Sequence, residues 1–148
     1  VKGEFISIVS EEETSEIEEA LDRSPNPVQI HLKRALDLLS DRKSPDYRNS
    51  IKESISAVES ICELITRNKN VTLGQCLDLI ENKVGLHPAL KRAFSSLYGY
   101  TSSAEGIRHA LLDEPKLDFE DAKFMLVSCS AFVNYLISKA SKAGIKIQ

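Results

Sequence analysis

With 148 residues, 42% of them apolar and 28% charged, the chain is sized and composed for one globular domain, which excludes a disordered segment or a disulfide-stapled miniature. No apolar run reaches the roughly 20 residues of a membrane span. The net charge of −3 conceals an asymmetry: residues 1–22 hold eight acids against Lys2, and the rest is mildly basic, too weakly so to argue nucleic-acid binding by itself.

Residues 4–9 have the β-branched and aromatic content of a short strand, and a lone strand needs a partner from outside the segment. Ser10 and Glu13 have the Ser-x-x-Glu form of a capping box, which predicts a short acidic helix to about Arg23. Asn26-Pro27 reads as an N-cap followed by proline at the first helical position, opening a helix that buries Val28, Leu32, Ala35, Leu36 and Leu39. Ser44-Pro45 repeats the device. The helix after it runs to about Arg67, with a stripe at Tyr47, Ile51, Ile55, Val58, Cys62 and Ile65.

Thr72 and Gln75 form a second capping box, for a helix through Leu77 and Ile80 that stops at Asn82 and Gly85. His87-Pro88 opens another, with Leu90, Phe94 and Leu97 inward and its end at Gly99. A brief helix carries Ile107, Ala110 and Leu111 and is terminated by Pro115. Asp118, with Asp121 three residues on, caps a long helix from Phe119 to about Ala143. Between Phe124 and Ile137 it is apolar on most faces, which marks it as the central buried element. The fold class that follows is all-α: a compact bundle of five to seven helices around a long C-terminal helix, with a short extended segment at the N-terminus.

Cys62, Cys76 and Cys129 are odd in number, far apart and set in apolar stretches, so they read as reduced packing residues in a cytoplasmic protein. His31, His87 and His109 are too scattered for a metal motif, and no glycine-rich phosphate cradle occurs, so neither a metal nor a cofactor is expected. Two features stand out. Glu59 lies on or beside an apolar stripe, where its carboxylate either reaches water or meets a cation such as Arg108. Residues 97–114 crowd together aromatic, glycine and charged side chains, among them Tyr98, Tyr100, Arg108, His109 and Asp113. Arg108 and His109 are adjacent, so on a helix they point about 100° apart and cannot act as one same-face pair. The plain alternative is Arg108 on helix C-terminal carbonyls and His109 exposed.

The runs at 35–42, 45–59, 87–91, 97–101, 106–111 and 119–126, among them His87-Pro88-Ala89-Leu90-Lys91 and Gly106-Ile107-Arg108-His109-Ala110-Leu111, resemble the C-terminal domain of bacterial abortive-infection (AbiJ-like) phage-defence proteins. The resemblance spans roughly residues 28–140. It implies a distant relation to the HEPN superfamily of helical bundles, which often dimerise and whose active members cleave RNA. On this reading residues 1–24 lead in from a preceding N-terminal domain, which the first residue, Val1, also suggests, and 25–148 form the helical domain. The active signature is an Arg, a polar residue and then a His a few positions later. Arg108 and His109 match its start, but Asp113-Glu114-Pro115 stand where the second His belongs. Without that imidazole the proton transfer lacks its ordinary group, and Asp113 substitutes only with a much raised pKa.

Two functions follow from the resemblance. The first is an interaction or dimerisation module, not catalytic by itself, whose partners are its own N-terminal domain and a second copy, with no membrane. The second is a divergent, metal-independent ribonuclease acting on RNA through Arg108 and His109, with Tyr98, Tyr100, Glu59 and Asp113 as binding residues.

Overall fold

A computed structural model describes residues 10–102 and 117–147. The strand expected at 4–9 and the short helix expected to carry Ile107, Ala110 and Leu111 lie outside the described residues. Those residues form six helices: α1 (Glu11–Arg23), α2 (Asn26–Ser40), α3 (Tyr47–Thr66), α4 (Leu73–Val84), α5 (Pro88–Ser102) and α6 (Phe119–Lys142).

The three capping boxes form as their spacing requires. Ser10 Oγ accepts from the Glu13 amide at 3.3 Å while Glu13 Oε1 accepts from the Ser10 amide at 3.0 Å. Thr72 with Gln75 and Asp118 with Asp121 repeat the exchange at α4 and α6. Two starts differ from expectation. At α2 the cap residue is Pro25, so Asn26 is already helical and makes no side-chain cap, and Pro27 sits where a missing N–H still costs nothing. At α3 the cap is Asp46 rather than Ser44, its Oδ1 accepting from the Asn49 amide at 3.0 Å. Ser44 lies ahead of the helix, in a turn where its amide and that of Lys43 both donate to Asp41 Oδ1.

The helix ends follow backbone rules. Gly85 (φ +76) and Gly144 (φ +72) take the left-handed conformation that closes α4 and reverses the chain after α6. Gly99, expected to stop α5, does not: the helix continues to Ser102, at the cost of about 1 kcal/mol that an interior glycine carries. Leu90, expected inward, is 43% exposed. The first turn of α5 is tied to α4 by Lys91, which bridges Asp78 and Glu81, and that contact leaves Leu90 facing solvent.

Packing is ordered around α6. It buries Ala122, Met125, Leu126, Cys129, Phe132, Val133, Leu136, Ile137 and Ala140, against α3 and α1 above all and against α2 and α4. The most extensive pairing joins α2 and α3, and α3 buries the small side chains of Ser50, Ser54 and Ala57. Both buried hydroxyls are satisfied: Ser50 Oγ donates to the Ala35 carbonyl at 2.7 Å and Ser54 Oγ to the Ser50 carbonyl at 3.0 Å. By length and composition α6 would suffice to cross a membrane, but half of its most apolar window is buried inside the bundle, as in a core helix. Cys62, Cys76 and Cys129 are free and buried. Burial pushes the Cys129 thiol up to about 12, and contact with Cys76 together with burial raises Cys62, so both remain protonated packing groups.

Leu126 is fully buried while Phe124 is 58% exposed, although only Met125 separates them. Measured on the dilute monomer, Leu126→Ala should lower unfolding free energy in urea by about 2–5 kcal/mol, whereas Phe124→Ala should change it by no more than about 0.5 kcal/mol. Acid sensitivity has a definite sign. The Ser10 amide holds the Glu13 carboxyl below its usual range and the Asp121 amide does the same for Asp118, so both stabilise the fold above their ordinary values. That contribution is lost as pH falls through the lowered native values. Denaturation midpoints should therefore drop between neutral pH and about pH 3, and drop less in the Asp118→Asn variant.

Candidate functional site

The side chains singled out in the sequence divide sharply. Glu59 emerges on the exposed flank of α3, so its carboxylate reaches water rather than lying in the core. Tyr98, half-buried on α5, donates its phenolic proton to Glu59 Oε2 at 2.9 Å. Tyr100 lies in the last turn of α5, and its side chain is outside the described set. Arg108, His109 and Asp113 fall in 103–116, outside the described residues, as does the expected pairing of Arg108 with Glu59.

What the fold assembles at this junction of α3, α5 and α6 is mainly aromatic. Phe94 of α5 stacks on Phe132 of α6 with centroids 4.0 Å apart and planes at 27°, and meets Tyr135 at 5.9 Å. Lys139 stands 5.6 Å over the Tyr135 ring, a cation–π contact one turn further along α6. Three ties thus hold α5 in place: Lys91 to the α4 carboxylates, Phe94 in the aromatic cluster, and Tyr98 on Glu59. Tyr135 also belongs to an outward stripe on α6. Phe124 is exposed, Val127 half-buried, Ala131 exposed and Tyr135 half-buried, a spacing of three or four residues that keeps all four on one face. Reading the chain for its buried helix conceals this stripe, because an apolar residue looks the same in sequence whichever way it points.

A second cluster was not singled out from the sequence. His31 Nδ1 lies 2.6 Å from Glu53 Oε2, an imidazole N–H donating to a carboxylate, and Arg34 Nε is 3.4 Å from the other oxygen. Its signal was present: in an antiparallel hairpin turning about Arg42, His31 and Glu53 each lie eleven residues from the turn and so come level. Glu53 is 16% exposed and His31 32%, so the pair is partly shielded and oriented, and it ties α2 to α3. His87, by contrast, serves structure: its Nδ1 accepts from the Ala89 amide at 3.0 Å and caps α5. Among the described residues no group of three or more His, Cys, Asp or Glu side chains could hold a metal ion.

No family model, curated protein or solved structure matches the chain.

The two carboxylate contacts differ in shielding, and this sets their energies apart. A double-mutant cycle on His31 and Glu53 should give a coupling of about 1 kcal/mol, and one on Tyr98 and Glu59 less than about 0.5 kcal/mol. Equal couplings in urea denaturation would contradict that ranking.

Proposed function

We propose that the chain is a helical interaction module of a bacterial phage-defence protein of the abortive-infection type, and that it self-associates through the outer face of α6. The observation that carries this reading is Phe124, 58% exposed on the helix that otherwise forms the core, and continued along one face by Val127, Ala131 and Tyr135. An apolar stripe along the helix that forms the core is a poor surface to leave in water, and each large side chain removed from it contributes about 1.5–3 kcal/mol. Ala131 at its middle is small, which lets two such helices cross closely. A two-fold pairing would place the same stripe on both sides of one interface.

The resemblance of residues 28–140 to the C-terminal abortive-infection domain supplies the biological setting. Sedimentation velocity on the purified chain should show a concentration-dependent dimer. Phe124→Glu and Ala131→Glu should abolish it with helical content unchanged, since neither side chain contributes to the core. A chain that stays monomeric at every concentration, or variants that dimerise as the parent does, would overturn the reading.

A further inference from the structure

The end of α6 carries a feature that self-association does not use. Gly144 (φ +72) turns the chain back on the helix, and three backbone amides close its last turn: Ala143 on the Lys139 carbonyl at 3.1 Å, Gly144 on Ser141 at 3.1 Å and Ile145 on Ala140 at 2.9 Å. Carbonyls that a helix end usually offers to cations are thereby satisfied from within. The tail then alternates, Ile145 and Ile147 packing toward the core while Lys146 stays exposed.

Between this tail and the end of α1 lies an open cleft of about 580 Å³, within the range of small-molecule sites. Pro25, Ile137, Ile145 and Ile147 give it an apolar lining, and its two charged lining residues, Arg23 and Lys146, are both cations. Arg23 is held in place, with Nη2 donating to Ser138 Oγ at 2.9 Å and Nη1 3.7 Å from Glu19. A guanidinium has five donors, so those contacts leave it capacity for an anion.

We propose that this cleft binds a medium-chain aliphatic carboxylate, its chain against Ile137, Ile145 and Ile147 and its carboxylate at Arg23 and Lys146. Apolar lining alone would take any amphiphile, and the two cations choose the anionic one.

Isothermal titration calorimetry of the whole chain with decanoate, kept below its micelle threshold, tests this. Saturable one-to-one binding is expected, weakening by up to about fourfold for each methylene removed from the acid. Lys146→Glu, a change at an exposed side chain that leaves the core intact, should weaken it by about tenfold. Decyltrimethylammonium, with the same tail and the opposite charge, should not bind measurably. Equal affinity for the two amphiphiles, no effect of Lys146→Glu, or no saturable heat with decanoate would each overturn the proposal.

Discussion

The packing of α6 against α3 and α1 is the constraint from which the other features of this fold follow. A helix surrounded on most sides has no room for a wide polar face, which is why residues 124–137 are so uniformly apolar. Its neighbours are then amphipathic, each needing only one stripe to cover their share of it. Ser128, Ser130 and Asn134 interrupt the run, and Asn134 is the largest of them. Asn134 is buried, and its amide donates to the Glu16 carbonyl at 3.1 Å and to Glu16 Oε1 at 2.8 Å. A polar group placed there is costly unless it is met, so this contact ties α1 to one register on α6, a role that Ile17 and Ala20 alone would fill less selectively.

The same constraint separates the inner from the outer elements. In the pairing of α2 with α3, α3 buries small serine and alanine side chains, and the His31–Glu53 contact reinforces it from the partly exposed side. Among the described residues α5 is different in kind: no side chain described on it is buried, and it is held by an ionic contact, an aromatic stack and one phenol-to-carboxylate bond. Such contacts open more readily than buried apolar surface, so α5 is the element that opens locally before the rest of the bundle.

Much of this architecture is legible in the residues themselves. The capping boxes at Ser10, Thr72 and Asp118 are local chemistry, complete within four residues, and all three are realised. The starts of α2 and α3 are less legible, because the choice between Asn26 and Pro25, or between Ser44 and Asp46, is made by the neighbouring turn rather than by the cap residue. Leu90 and Gly99 show two further limits. An apolar residue at helical spacing still faces solvent where nothing covers its turn, and an isolated glycine weakens a helix without ending it. For the candidate site, Tyr98 and Glu59 stand out in the sequence by residue type, yet their pairing with each other depends on how α5 lies against α3, which no periodicity contains. The His31–Glu53 pair and the Phe94–Phe132 stack escaped notice for the same reason. Distance along the chain hides what the hairpin and the bundle bring together.

Amide hydrogen exchange of the native chain, followed by mass spectrometry, tests the central position of α6 most directly. Amides between Met125 and Ile137 should exchange only through global unfolding, with protection equal to the free energy of denaturation, while those of α5 exchange sooner through local opening. Exchange across α6 as fast as that of α5 would show that the long helix is not the core of the bundle, and the account built on it would fail.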